Sequence, residues 1–176
     1  MRNSARGAGA ALLGGALGFF SLRTRSGDTV WQIDPYKCIQ CGNCATHCVL
    51  EPSAVKCVHA YAMCGYCEFC TGFLEPNADN AAGGAENELC PVGAIKRSFV
   101  EDPFYKYTID EELCTGCGKC VKGCAAFGNG SLFLQIRHDR CLNCNQCSIA
   151  DACPAQAVVR VPADNPYLLK KPGKTG

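Results

Sequence analysis

Short apolar stretches separated by polar turns recur between residues 29 and 162 of this 176-residue chain. Four of them alternate apolar with polar positions or are rich in β-branched and aromatic residues, at 30–33, 105–109, 132–136 and 158–161. Segments of this length and composition predict short β-strands rather than helices. Three of the four end in an isoleucine five residues ahead of a cysteine: Ile33, Ile109 and Ile136. The chain is therefore predicted to be an α+β protein of short strands and small helices.

Residues 7–22 (GAGAALLGGALGFFSL) carry no charge, and arginines flank them on both sides. As a helix they would rise about 24 Å, less than the roughly 30 Å hydrocarbon core of a bilayer. A basic start before a short apolar stretch also describes a signal sequence, but no clear A-x-A cleavage site follows. We interpret this stretch as an uncleaved, signal-like helical segment that contacts a membrane or a membrane partner. An ordinary buried helix is the alternative.

The rest of the chain shows an internal repeat. The segment beginning at Cys90 (CPVGAI) parallels the segment beginning at Cys153 (CPAQAV), and an arginine follows each. This similarity predicts two homologous halves in tandem. The predicted units are a signal-like segment at 1–28, a first half at 29–102 with a loop insert at 71–89, a second half at 103–162 and an extended tail at 163–176.

Sixteen of the 17 cysteines fall into four runs. The first run is Cys38, Cys41, Cys44 and Cys48, and the second is Cys64, Cys67, Cys70 and the distant Cys90. The third run is Cys114, Cys117, Cys120 and Cys124, and the fourth is Cys141, Cys144, Cys147 and Cys153. We call the first three cysteines of each run its triplet and the fourth its closing cysteine. A triplet at two-residue spacing can reach three corners of an iron–sulfur cube, and a more distant cysteine supplies the fourth. The pattern thus predicts four [4Fe-4S] clusters.

Composition narrows the alternatives. Seventeen cysteines in a short chain would also fit a disulfide framework, and C-x2-C pairs would fit zinc. The odd count argues against disulfides, and the third cysteine of each triplet would be surplus for zinc.

The 17 basic and 16 acidic side chains nearly balance, so the basic excess typical of nucleic-acid binding is missing. A near-neutral carrier is expected to stay bound to its partners rather than to be steered towards them by charge.

The cysteine runs and the repeated CP segments make each half resemble the bacterial two-cluster ferredoxin domain. Together the halves, about residues 29–162, resemble a four-cluster polyferredoxin. Similar subunits serve membrane-linked oxidoreductases, including the iron–sulfur proteins of periplasmic nitrate reduction and methylamine use. The resemblance implies two tandem ferredoxin-like 2[4Fe-4S] domains.

In that family the closing cysteine of a run ligates the other cluster of its pair. The resemblance therefore implies four ligand sets within the two sequential halves. Cluster one would have Cys38, Cys41, Cys44 and Cys90, and cluster two Cys64, Cys67, Cys70 and Cys48. Cluster three would have Cys114, Cys117, Cys120 and Cys153, and cluster four Cys141, Cys144, Cys147 and Cys124.

Two details of the runs carry further expectations. Glycine follows the second cysteine at Gly42 and Gly118, where a left-handed backbone is expected, and Asn145 holds that place in the fourth run. Cys57 lies outside all four runs. It is interpreted as a spare buried thiol, with ligation of the second cluster in place of Cys48 or Cys70 as the alternative.

The functional hypothesis is a non-catalytic electron-transfer subunit. The four ligand sets leave no candidate group for a substrate, and the sequence shows no nucleotide fingerprint or nucleophile–base pair. Its expected partners are protein redox partners in a multi-subunit complex, including a membrane quinol-, haem- or flavin-bearing subunit, with membrane contact through residues 7–22. No nucleic acid is expected. The alternative is an oxidoreductase subunit in which one cluster contacts substrate or flavin directly. The expected location is the bacterial inner membrane, with the resemblance favouring the periplasmic face.

Overall fold

The computed structural model describes residues 28–64, 90–101 and 104–171. These ranges contain six short strands and three short helices. In chain order they are β1 (Thr29–Ile33), α1 (Asn43–Thr46), β2 (Val55–His59), β3 (Ile95–Glu101), β4 (Phe104–Ile109), α2 (Lys119–Phe127), β5 (Leu132–Ile136), α3 (Ser148–Ala152) and β6 (Val158–Pro162). The segment at 7–22, the insert at 71–89 and the ligand candidates Cys67 and Cys70 lie outside the described residues. None of the helices in the described ranges is long and apolar enough to cross a membrane.

All four predicted strands are present, as β1, β4, β5 and β6. The α+β prediction with short strands and small helices is therefore confirmed for the described residues. Two further strands, β2 and β3, were not predicted. Each is rich in β-branched residues, which was the available signal: β2 contains Val55 and Val58, and β3 contains Ile95 and Val100.

The strands pair as three antiparallel two-stranded sheets, β1–β6, β2–β5 and β3–β4. Ile33 stands opposite Val158 in the first sheet, and Ile95 stands opposite Ile109 in the third. Every described sheet thus joins a strand of residues 29–102 to a strand of residues 103–162. This pairing differs from the predicted division into two sequential halves. The first strand pairs with the last, and the β3–β4 hairpin lies between them in sequence.

The core lies between β1, β2 and β5. Its most deeply buried apolar side chains are Ile33, Val55, Leu134 and Ile136, each at most 2% exposed. Cysteines line the same core, with Cys44, Cys57, Cys114 and Cys124 all buried. The apolar interior and the candidate ligands are therefore one packed region rather than a core with separate surface sites.

A buried side-chain amide connects the β1–β6 sheet to the β2–β5 sheet. Gln32 in β1 has no solvent exposure. Its Oε1 accepts the backbone N–H of Ile136 in β5 at 2.8 Å, and its Nε2 donates to the carbonyls of Ile136 at 3.3 Å and Pro166 at 3.0 Å. The contact with Pro166 also fastens the C-terminal segment, which Lys170 holds farther along by donating to the Gly130 carbonyl at 2.7 Å.

Replacing Gln32 with leucine should destabilise the fold, because the buried N–H of Ile136 would lose its acceptor. The expected cost is about 1–3 kcal/mol, or roughly 2–10 °C in the unfolding midpoint of a domain of this size. Anaerobic thermal unfolding of the cluster-loaded protein measures it.

The matched control is Gln135→Leu in β5. Gln135 is also buried, at 4% exposed, but its Nε2 has no partner among the described residues. Its replacement should therefore cost little or nothing. Equal losses in the two variants would contradict the bridging role of Gln32.

Candidate iron–sulfur sites

The strand after each CP closing segment pairs with the strand before a triplet, and this pairing decides which cysteines meet. After Cys90, β3 pairs with β4, which leads into the third triplet, and the Asp110 N–H donates to the Ala94 carbonyl at 2.7 Å. After Cys153, β6 pairs with β1, which leads into the first triplet. The Asp34 N–H donates to the Ala157 carbonyl at 2.8 Å in the equivalent position.

Cys90 lies with the third triplet. An open cavity of about 340 Å³ is lined by five cysteines together with apolar side chains of β3 and β4. These cysteines are Cys57, Cys90, Cys114, Cys117 and Cys120. One closing cysteine thus faces the three thiols of a triplet across a shared space, which is the arrangement that a four-iron cube needs.

Cys153 lies with the first triplet. Burial raises the pKa of the Cys44 thiol to about 12. Three neighbouring cysteines add to that rise through charge repulsion: Cys38, Cys41 and Cys153. The side-chain amide of Asn43 also donates to the Ala152 carbonyl at 2.8 Å, which joins α1 to α3 beside these thiols.

Cys48, the closing cysteine of the first run, lies with the fourth triplet. Both line an open cavity of about 390 Å³, whose walls include Trp31, Val49 and Leu142. The cysteines of this cavity are Cys48, Cys141, Cys144 and Cys147. The first and fourth runs therefore exchange closing cysteines with each other.

Cys124 lies on the side of the second run. Its Sγ is 3.9 Å from the side-chain oxygen of Asn129, whose amide donates to the Met63 carbonyl at 2.6 Å, next to Cys64. Cys64 is half-buried at the end of the first described range. Cys67 and Cys70 themselves lie outside the described residues.

This grouping differs from the ligand sets expected from the resemblance. Cys90 and Cys153 are exchanged, because each follows the strand pairing rather than sequence proximity. Cys48 accompanies the fourth triplet instead of Cys64. Cys124 does not line the cavity of the fourth triplet and lies instead beside Asn129, which is hydrogen-bonded to Met63. Cys57, expected to be a spare thiol or a second-cluster ligand, lies in the cavity of the third triplet.

The chemistry of these thiols fits iron–sulfur clusters. A thiol with a pKa near 12 stays protonated in water, whereas metal coordination deprotonates it. Backbone N–H groups point at the closing sulfurs, from Ala94 to Cys90 at 3.2 Å and from Ala157 to Cys153 at 3.3 Å. Such bonds stabilise thiolates in clusters. Among the described residues, no three His, Cys, Asp or Glu side chains converge closely enough to hold a single metal ion.

Left-handed backbone shapes the loops around these sulfurs. Gly42 and Gly118 have φ of 91° and 78°, and each directly precedes a helix, as expected. The expectation for Asn145 is wrong, because the left-handed residue in the fourth run is Asn143, with φ of 49°. In this run α3 begins only after Cys147, so the backbone after the second cysteine does not have to enter a helix directly.

Two side chains hold the loop of the fourth triplet. The indole N–H of Trp31 donates to the Cys144 carbonyl at 2.7 Å, and Arg160 donates to the same oxygen at 3.0 Å. The guanidinium also lies over the Trp31 ring, 4.3 Å from its centroid. No motif indicated this pair; the paired strands β1 and β6 bring it together, with Trp31 opposite Arg160.

Gly116→Ala should disrupt the third triplet, because a Cβ there would lie 2.5 Å from the Val55 carbonyl oxygen on β2. Gly93→Ala is the matched control, since Gly93 also has a positive φ, of 62°, but nothing lies within 4 Å of its Cβ position. Left-handed strain alone costs roughly 1–2 kcal/mol, so Gly93→Ala should lose about that much stability and keep its iron. Gly116→Ala should lose more stability and part of its iron. Equal iron contents would contradict the importance of the close approach.

Comparisons with known proteins agree with this chemistry. A protein-family model described as a 4Fe-4S binding domain matches residues 108–129, which contain the whole third run. A tetrathionate reductase subunit of Archaeoglobus fulgidus is 30% identical over 128 residues, covering 66% of this chain and 55% of the relative. An uncharacterized ferredoxin of Methanocaldococcus jannaschii is 26% identical over 110 residues, covering 62% and 57%. The chain thus spans just over half the length of these relatives. These similarities indicate a 4Fe-4S ferredoxin-type domain that includes the third run.

Proposed function

We propose that this chain is a non-catalytic subunit that relays single electrons through four [4Fe-4S] clusters within a larger redox complex. The observation that carries the proposal is the pair of described cavities, each lined by a triplet together with a closing cysteine from another run. A disulfide framework would use such thiols in pairs, and zinc would need four of them around one ion.

The proposed ligand sets follow the strand pairing. Cluster one takes Cys38, Cys41, Cys44 and Cys153, and cluster two takes Cys64, Cys67, Cys70 and Cys124. Cluster three takes Cys114, Cys117, Cys120 and Cys90, and cluster four takes Cys141, Cys144, Cys147 and Cys48. Clusters one and four thus form an outer pair, and clusters two and three form an inner pair.

A contact between loops supports a linear relay through both pairs. The carbonyl oxygen of Cys117 lies 3.4 Å from the Cβ position of Gly42, and Gln40 lies 3.5 Å from the Cβ position of Gly118. The loops of the first and third triplets therefore lie so close that a methyl group added to either glycine would touch the other loop. Within each proposed pair, each run supplies the closing cysteine of the other run's cluster, so the two clusters of a pair are neighbours. The proposed order of electron transfer is therefore cluster two, three, one and four.

The partners of this relay are proposed from the surface and from a relative. Val49 and Leu142 stand at the cavity of cluster four and are 64% and 66% exposed. Exposed apolar residues are typical of a surface that a partner protein covers, so cluster four is proposed as the end of the relay at which a partner binds. The similarity to a protein named as one subunit of a tetrathionate reductase supports a place in a multi-subunit redox complex. Membrane association at the bacterial inner membrane, on its periplasmic face, is part of the proposal.

Paired cysteine substitutions should identify the ligand sets. The intact protein should contain about sixteen irons with matching acid-labile sulfide. Cys90→Ser should alter the same cluster signal in electron paramagnetic resonance as Cys114→Ser, and Cys153→Ser the same signal as Cys44→Ser. Ligand sets confined to sequential halves require the opposite matching, with Cys90 grouped with Cys44.

The control for these variants is Cys57→Ser, which should keep about sixteen irons, because Cys57 is not in any proposed ligand set. Zinc in place of iron, or turnover by the isolated chain with candidate substrates, would count against a non-catalytic relay of four clusters.

The membrane contact proposed for residues 7–22 has a separate test. Removing residues 1–27 should release the protein from the membrane fraction of cells while leaving its iron content unchanged, since no proposed ligand precedes Cys38. Recovery of the shortened chain with the membranes would contradict contact through this segment.

A further inference from the structure

Strand β2 places two buried polar groups against the third triplet. Lys56 has no solvent exposure, and Cys57 is 2% exposed. The Lys56 Nζ donates to the Cys114 carbonyl at 2.5 Å, and the Cys57 backbone N–H donates to the Cys114 Sγ at 3.4 Å. The Cys57 Sγ lies 3.4 Å from the Cys120 Sγ. The proposed function uses neither of these two residues.

The distance between the two sulfurs determines the role of Cys57. The two Sγ atoms lie 3.4 Å apart, a hydrogen-bonding distance for sulfur. A cysteine that ligates iron has lost its proton, so its sulfur can only accept a hydrogen bond. With Cys120 as the ligand, the donor of this hydrogen bond is therefore the S–H of Cys57, and the acceptor is the Cys120 Sγ. The thiol is thus a neighbour of the cluster rather than a fifth ligand.

Buried donors next to ligand sulfurs stabilise negative charge on a cluster. Hydrogen bonds to the sulfurs and the local charge are among the features that set the reduction potential of an iron–sulfur centre. Their effect is strong where water is excluded, as it is around Lys56 and Cys57. Reduction adds one electron, and donors favour the more negative reduced state over the oxidised state.

We propose that Lys56 and Cys57 are positioning residues that raise the reduction potential of the cluster held by Cys114, Cys117, Cys120 and Cys90. This inference rests on the ligand set proposed above. Strand β2 is then the element that sets the reduction potential of cluster three, an internal cluster of the proposed relay. The facing strand β5 offers a contrast, because Leu134, which stands opposite Cys57, has no side-chain donor.

Redox titration of the full-length, cluster-loaded protein, followed by electron paramagnetic resonance, tests the proposal. Cys57→Ala removes the S–H donor and keeps the backbone N–H. At a fixed potential, the ratio of reduced to oxidised cluster should fall about tenfold for one signal, because a hydrogen bond from a buried donor is stronger to the more negative, reduced cluster. For one electron, a tenfold change corresponds to about 59 mV. The shifted signal should be the one that Cys114→Ser alters.

Lys56→Met should lower the same potential, and Lys56→Arg should restore most of it, because arginine keeps a donor near the Cys114 carbonyl. Leu134→Val is the packing control, since it trims a buried side chain on the facing strand without removing a donor. It should leave all potentials unchanged. If Lys56→Met does not fold, the comparison of Cys57→Ala with Leu134→Val decides alone.

Three outcomes would overturn the inference. They are unchanged potentials in Cys57→Ala, an equal shift in Leu134→Val, and the loss of about four irons in Cys57→Ala, which would make Cys57 a ligand. Failure of the ligand set itself is recognised separately, because Cys90→Ser and Cys114→Ser would then alter different signals.

Discussion

The structure depends on one constraint: a strand that leaves a CP closing segment must pair with a strand that enters a triplet. The pairing of β1 with β6 and of β3 with β4 satisfies it twice. In both places the same backbone hydrogen bond connects the two segments, from Asp34 to Ala157 and from Asp110 to Ala94. The position of Cys90 beside the third triplet and of Cys153 beside the first follows from these two pairings.

The same constraint makes the candidate ligands part of the core. The side chains of Cys44 and Cys114 are as buried as the apolar residues around them, and burial raises the pKa of both thiols. A small domain of this kind draws much of its folding free energy from metal binding, because the thiols must be deprotonated and gathered together. Folding and cluster insertion are therefore expected to be coupled in this chain.

Local features could be predicted from the sequence, and long-range pairing could not. The strands β1, β4, β5 and β6 and the left-handed glycines Gly42 and Gly118 are encoded by neighbouring residues. The closing segments CPVGAI and CPAQAV are nearly alike, so either could complete either triplet. One local signal did exist, because the Asp-Pro pair at 102–103 separates two stretches with β-branched and aromatic residues and predicts a hairpin that carries Cys90 to the third triplet. The polar contacts of Lys56 and Trp31 depend on tertiary structure and leave no motif.

Along the chain, the cysteines of the proposed inner pair lie between those of the proposed outer pair. This nesting affects which pair can form first. In the inner pair, 24 positions separate Cys90 from Cys114, whereas 115 positions separate Cys38 from Cys153 in the outer pair. Closing the longer loop in an unfolded chain costs about 1.4 kcal/mol more in entropy. The outer site also needs β6, which follows β2, β3, β4 and β5 in the chain. Once β2 and β5 have paired around the inner cysteines, however, the ends of the outer loop lie close together, and Gln32 can bridge β1 to β5. With the ligand sets proposed above, the inner pair is therefore expected to form first and to serve as the template on which the outer pair closes.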